Sequence, residues 1–138
     1  MWAEPLVGKT FGVTVGGVDI ADVSDYEFAD LESLLLRYGA LVISGGCGLI
    51  SKQQQVMFGK RFGQLEFGGA PMANTERNGT TIVAVEAQRM RTNLGNEMWH
   101  TDSTYKPLSS KVAMLSAREL PPSGGGQTAL VDMRAAYR

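Results

Sequence analysis

A helix with clear start and stop signals, followed directly by an apolar segment, constrains the fold of this chain most strongly. Ser24 and Glu27 have the spacing of a capping box, which marks the first turn of a helix. Leucine residues follow at helical spacing, and Gly39 favours a left-handed stop. The next residues, 40–44, form a short apolar segment that predicts a buried strand. The sequence therefore predicts a fold that mixes helix and strand.

The same kinds of signal predict the other elements. Residues 11–20 are rich in valine and predict an edge strand or a short hairpin. Ser51 and Gln54 cap a second helix, which Gly63 ends. Strands are predicted at 80–85, 98–105, 112–117 and 127–131, loops at 64–79 and 86–97, and a tight turn at 121–126. Asp132 caps a last helix that has only begun when the sequence stops, so we expect a chain truncated at its C-terminus.

Composition restricts the class of protein. With 138 residues, 43% of them hydrophobic and 20% charged, the chain has the size and balance of one globular domain. A net charge of -1 without a basic stripe argues against a nucleic-acid partner. Cys47 is the single cysteine, which excludes an intrachain disulfide, and the longest apolar stretches are too short to span a bilayer. No secretory signal is visible at the start, so we expect a cytoplasmic protein without a membrane partner.

The residues with the clearest chemistry are His100, the only histidine of the chain, and Asp102. On a strand, a spacing of two places both side chains on one face. An imidazole nitrogen and a carboxylate oxygen are two of the three protein ligands in the facial triad of non-haem Fe(II) oxygenases. The third would be a second histidine, which the sequence does not contain. A hydrogen-bonded structural pair is the alternative, and for an isolated His-x-Asp motif it is the commoner case.

Three motifs in a fixed order surround this pair. They are NEMWHTDSTY at 96–105, LSAR at 115–118 and GGQTALVDMRAAY at 125–137. Together they closely resemble the TauD/TfdA family of Fe(II)- and 2-oxoglutarate-dependent dioxygenases. The similarity extends upstream through YGALVI at 38–43 and FGKRFG at 58–63, so it covers nearly the whole chain.

The resemblance implies a fold of the α+β class that is mainly β. This fold is a double-stranded β-helix, or jelly roll of the clavaminate synthase-like kind, with flanking helices. Because the family domain runs to roughly twice this length, residues 1–138 correspond to the N-terminal portion, about half, of a single such domain. The family's distal histidine and its 2-oxoglutarate-binding arginine belong to the part that these residues do not include.

The resemblance also implies roles for individual residues. His100 and Asp102 become Fe(II) ligands, and Thr128 contacts the distal carboxylate of 2-oxoglutarate. Thr128 has an alternative interpretation as an ordinary strand residue of good β-propensity. Asn96 matches a pocket position of the family's taurine-acting members and is a candidate to contact substrate, although an asparagine in a loop turn is nearly as common.

The loop at 86–97 should form a lid over the active site. Within it, Arg89 and Arg91 are candidates to pair with an anionic substrate group, and solvated surface charges are the more usual alternative. The runs STYKP at 103–107 and DMRAAY at 132–137 are nearer to the aryloxyalkanoate-acting branch than to the taurine-acting branch. The substrate expected from the resemblance is therefore a small organic anion of the sulfonate or aryloxyalkanoate type.

The function that follows from the resemblance is hydroxylation of that anion with release of succinate and CO2. Fe(II) is the cofactor, and 2-oxoglutarate and O2 are co-substrates. The alternative is a non-catalytic truncated fragment or a self-associating remnant, because the distal histidine and the arginine are absent. A homo-oligomer is expected, since half a jelly roll leaves strand edges and an apolar sheet face uncovered.

Overall fold

In a computed structural model of the chain, the described residues are 1–6, 10–44, 50–66, 81, 83–84, 86–88, 91 and 98–138. The chain divides into two units, of which the first comprises Met1–Phe58 and Ser116–Arg138 and the second Gly59–Leu115. The predicted loop at 64–79 and the predicted lid at 86–97 fall largely outside the described residues. No helix among the described residues is long and apolar enough to cross a membrane.

A small mixed sheet lies in the first unit. Its three strands, in spatial order, are β1 (Trp2–Pro5), β2 (Val13–Gly16) and β3 (Leu41–Ile43). β2 pairs antiparallel with β1 and parallel with β3. The strand predicted within 11–20 is therefore confirmed, but it is central and not at the edge. Val13 and Val15, which share one face of β2, are fully buried.

The long helix α1 (Asp25–Tyr38) begins and ends where the sequence predicts. The Glu27 N–H donates to Ser24 Oγ at 3.3 Å, and the Ser24 N–H donates to the Glu27 carboxylate at 3.0 Å. At the other end Gly39 has a φ of 76°, and its N–H donates to the Leu35 carbonyl oxygen at 2.7 Å. A side chain at this glycine would also meet the ring of Phe11. Local signals therefore determine both ends of α1, which lies against β3.

We expect Ser24→Ala to lower the free energy of unfolding by about 1 kcal/mol, because the first turn of α1 loses a side-chain acceptor. Ser33→Ala, at an exposed position in the middle of the same helix, is the matched control and should change stability little. Urea unfolding followed by circular dichroism measures both variants. Equal losses for the two would show that the cap contributes nothing specific.

The second helix, α2 (Lys52–Lys60), starts with the same kind of cap. The Ser51 N–H donates to Gln54 Oε1 at 2.7 Å, and the Gln54 N–H donates to Ser51 Oγ at 3.1 Å. Phe58 is buried and packs edge-to-face on Phe28 of α1, with ring centroids 6.0 Å apart. The predicted second helix and its N-terminal cap are thus confirmed, although the helix ends at Lys60 and not at Gly63 as predicted.

A short helix, α3 (Met133–Ala136), closes the first unit, and Asp132 caps it as predicted. The Arg134 guanidinium forms two contacts with the Asp132 carboxylate, at 2.9 and 3.2 Å. It also donates to the Arg37 carbonyl oxygen, in the last turn of α1, at 3.0 Å. The Arg134 hydrogen bonds lower the pKa of Asp132, and the same contacts raise the pKa of Arg134. Arg134 therefore ties α3 to the C-terminal end of α1.

The later strands of the sequence prediction are wrong for the described residues. The segment 98–105 consists mainly of turns and bends, and 112–117, 127–131 and the described part of 80–85 contain no strand. A strand is stable only when a neighbouring strand takes up its backbone hydrogen bonds, and the described sheet offers these segments no neighbour. The tight turn at 121–126 is confirmed, with the Gly124 N–H donating to the Pro121 carbonyl oxygen at 3.0 Å. The structure thus has a small mixed sheet, and a double-stranded β-helix is not shown.

Candidate metal site

His100 and Asp102 come together in the second unit, although the predicted strand is not formed and Asp102 begins a turn. His100 Nε2 is 3.2 Å from Asp102 Oδ1, and the two side chains are 46% and 59% exposed. Ser103, the next residue, has a left-handed φ of 60°. The predicted convergence of the two side chains is therefore confirmed, whereas its predicted cause, strand alternation, is wrong.

The backbone determines which nitrogen of His100 is available to a ligand. His100 Nδ1 lies 2.8 Å from the Met98 carbonyl oxygen. Because a carbonyl oxygen only accepts hydrogen bonds, Nδ1 must carry the hydrogen, and in the neutral imidazole the lone pair is then on Nε2. Nε2 faces the Asp102 carboxylate oxygen at 3.2 Å, which is also the distance of an ion pair when the imidazole is protonated. Two electron-pair donors so close together define a position suited to a proton or a cation.

The donor set fits part of a divalent metal site. Ligand atoms about 2.1 Å from one ion and at right angles to each other are about 3 Å apart, close to the separation found here. A metal-binding histidine typically donates its other ring N–H to a carbonyl or carboxylate, as His100 does to Met98. Among the residues that the structure describes, no group of three or more His, Cys, Asp or Glu side chains is placed to hold a metal. This part of the chain therefore offers two adjacent ligands.

A cluster that the sequence analysis missed holds the turn after Asp102. Ser103 is buried, and its hydroxyl donates to Glu66 Oε2 at 2.9 Å. The Lys106 ammonium lies 3.0 Å from the other oxygen of Glu66, and Ser110 Oγ donates to Ser103 Oγ at 3.0 Å. Hydrogen bonds from Lys106, then Ser103 and Ser110, hold the pKa of Glu66 below its usual range. No local sequence signal points to Glu66, which is 37 residues from Ser103.

The structure describes two of the other four predicted site residues, Thr128 and Arg91. Thr128 is exposed and belongs to the first unit, whereas His100 and Asp102 belong to the second. Arg91 is exposed, while Arg89 and Asn96 lie outside the described residues. The structure thus brings together the two predicted metal ligands.

Comparison with known proteins places the chain in a family. The family model described as "Taurine catabolism dioxygenase TauD, TfdA family" matches residues 3–138. The (S)-phenoxypropionate/alpha-ketoglutarate-dioxygenase of Sphingobium herbicidovorans is 43% identical over 129 residues, which is 93% of this chain and 44% of that protein. The Delftia acidovorans protein of the same name is 39% identical, over 94% of this chain and 46% of that protein. The chain thus spans slightly less than half the length of these curated relatives.

The structural comparison agrees with the sequence comparison. The crystal structure of AAD-2 in complex with Mn(II) and N-oxalylglycine superposes with a TM-score of 0.67 at 28% sequence identity. The match covers 80% of this chain and 40% of that one. The chain belongs to the TauD/TfdA family of dioxygenases.

Proposed function

We propose that this protein acts as an Fe(II)- and 2-oxoglutarate-dependent dioxygenase on a small aryloxyalkanoate-type anion, releasing succinate and CO2. The observation that carries the proposal is the 3.2 Å approach of His100 Nε2 and Asp102 Oδ1, with Nδ1 bound to the Met98 carbonyl. The substrate class rests on the names of some of the relatives, namely the two (S)-phenoxypropionate dioxygenases and the 2,4-dichlorophenoxyacetate dioxygenase of Cupriavidus pinatubonensis, which is 31% identical. Other relatives, at 31% and 34% identity, are named pentalenolactone F synthase. The Mn(II) and N-oxalylglycine of the structural neighbour support the metal and 2-oxoglutarate.

His100 and Asp102 are the residues that would hold the metal. When bound, Fe(II) supplies the oxidative chemistry, in which 2-oxoglutarate loses CO2 and the substrate is hydroxylated. The chain's own contribution is geometric and electrostatic. The Met98 carbonyl holds the imidazole in the tautomer that leaves Nε2 free to bind, and the Asp102 charge favours a divalent cation over water.

Co-substrate and substrate would be held by polar groups on other segments. The Thr128 hydroxyl can donate a hydrogen bond to the distal carboxylate of 2-oxoglutarate, which also needs a cation beside it. Arg91, with Arg89 and Asn96, remains our candidate for contact with the anionic substrate. A guanidinium can bind a carboxylate through two parallel hydrogen bonds, which suits an aryloxyalkanoate.

A chimaera tests the catalytic part of the proposal. Residues 3–138 would replace the matching segment of the Sphingobium herbicidovorans enzyme, which shares 43% identity with the chain. We expect the chimaera to form succinate from 2-oxoglutarate only in the presence of Fe(II) and (S)-phenoxypropionate, and the chimaera carrying His100→Ala to form none. A folded chimaera that binds Mn(II) without turnover, or one that stays active with His100→Ala, would contradict the proposal.

A self-associating, non-catalytic chain is the second candidate, and one observation favours it. In the second unit several large apolar side chains are each at least 71% exposed, namely Met98, Trp99, Tyr105, Leu108 and Leu115. Exposed apolar area of this kind favours association between copies. This candidate predicts a sedimentation coefficient that rises with protein concentration, and a monomer at every concentration would exclude it.

A further inference from the structure

The turn after Asp102 has an unusual backbone conformation. Ser103 is the one non-glycine residue with a positive φ among the described residues, at 60°. A left-handed conformation is unfavourable for a residue with a β-carbon, and it persists only where surrounding contacts hold it. Ser103 is also 8% exposed, in a segment whose neighbours Asp102 and Thr104 are exposed. The contacts of Ser103 therefore decide the course of the backbone beside Asp102.

Glu66 provides those contacts from outside the turn. Its Oε2 accepts a hydrogen bond from Ser103 Oγ at 2.9 Å, and its Oε1 lies 3.0 Å from Lys106 Nζ. The turn itself is closed by the Lys106 N–H, which donates to the Ser103 carbonyl oxygen at 3.1 Å. One carboxylate thus holds the first and the last residue of the turn, and its charge is matched by that of the ammonium.

We propose that Glu66 is a positioning residue for the metal ligand Asp102, because it binds Ser103 and Lys106 and thereby fixes the backbone that directs the Asp102 carboxylate toward His100. The inference rests on the proposed metal site. Glu66 acts through the turn and not as a ligand, since the described residues contain no third acidic or histidine side chain placed with the pair. A ligand that is already held in its binding direction loses less conformational freedom when the metal binds, which strengthens binding.

Mn(II) binding to the full chain, followed by water-proton relaxation, tests this role. Only the binding that His100→Ala removes is counted. We expect Glu66→Gln to raise the dissociation constant of Mn(II) about tenfold, as is typical for contacts that orient a ligand. Glu119→Gln removes the same charge at an exposed position of the other unit and should leave the constant unchanged.

Lys106→Met distinguishes a positioning role of Glu66 from a purely electrostatic effect of its charge on metal binding. Loss of a positive charge near the site would strengthen Mn(II) binding if only electrostatics mattered. If Glu66 positions Asp102 through the turn, the same variant weakens binding, because Lys106 Nζ no longer holds Glu66 Oε1. Ser103→Ala should weaken binding as well, and it provides the test should Glu66→Gln fail to fold.

The results distinguish this inference from the proposed function. Weaker Mn(II) binding in Glu66→Gln, Lys106→Met and Ser103→Ala supports the positioning role. If the wild type binds Mn(II) and Lys106→Met binds it equally or more tightly, the positioning role is wrong and the metal site still stands. If Glu66→Gln lowers the free energy of unfolding but leaves the dissociation constant of Mn(II) unchanged, Glu66 contributes to stability alone. That result also overturns the positioning role. A wild-type chain that binds no Mn(II) refutes the metal site and this inference with it.

Discussion

Replacing Leu31 with alanine is expected to lower the free energy of unfolding by about 3 kcal/mol, within the range for a fully buried leucine. Among the described residues, Leu31 is the largest fully buried side chain, and it lies on α1, the helix packed against β3. Truncation removes apolar contacts and leaves a cavity that its neighbours fill only partly. Because small domains are stable by only about 5–15 kcal/mol, the loss would be a large part of the total.

Leu36→Ala is the matched control for this prediction. It makes the same chemical change on the same helix, at a side chain that is 74% exposed. We expect its effect to stay within about 0.5 kcal/mol. Urea unfolding of both variants beside the wild type, followed by circular dichroism, measures the difference. Similar losses for Leu31 and Leu36 would show that α1 does not pack through the face that the structure assigns.

Substitution of the ligand pair should have the largest effect on metal binding. We expect His100→Ala and Asp102→Asn each to reduce Mn(II) binding to the nonspecific level. This loss is larger than the roughly 10- to 100-fold loss of metal affinity that is typical when a residue contacting a ligand is changed. Two protein ligands hold a labile divalent ion weakly, so the loss of either leaves almost no specific site. Asp102→Asn keeps the shape and one oxygen of the side chain but removes its charge.

Asp30→Asn is the control for charge, since Asp30 is an exposed residue of α1 in the other unit. It should leave Mn(II) binding unchanged. Equilibrium dialysis with Mn(II) at fixed ionic strength measures all three variants beside the wild type. If Asp102→Asn binds Mn(II) as well as Asp30→Asn does, the Asp102 carboxylate is not a metal ligand.

The helices could be predicted from the sequence because their signals are local. The cap of α1 joins residues three apart, Ser24 and Glu27, and Gly39 ends the helix by its own conformation. The cap of α2 at Ser51 and Gln54 has the same spacing. Such contacts depend on few residues outside the segment, so the pattern predicts helix position well.

The strands could be predicted only in part because pairing is not local. β2 and β3 form because each pairs with a neighbouring strand, whereas the predicted strand at 98–105 consists mainly of bends and a turn. The convergence of His100 and Asp102 was therefore predicted on the wrong grounds. Glu66 could not be predicted at all, since its contact with Ser103 spans 37 residues and depends on the folded backbone.

The most direct test of the central claim, that His100 and Asp102 bind a divalent metal together, uses the single histidine of the chain. One histidine gives one set of imidazole proton resonances, and bound Mn(II) broadens the resonances nearest to it. We predict that substoichiometric Mn(II) selectively broadens the His100 ring signals in the wild type and leaves them sharp in Asp102→Asn. His100 signals that stay sharp in the wild type while other resonances broaden, or that broaden equally in Asp102→Asn, would contradict the account.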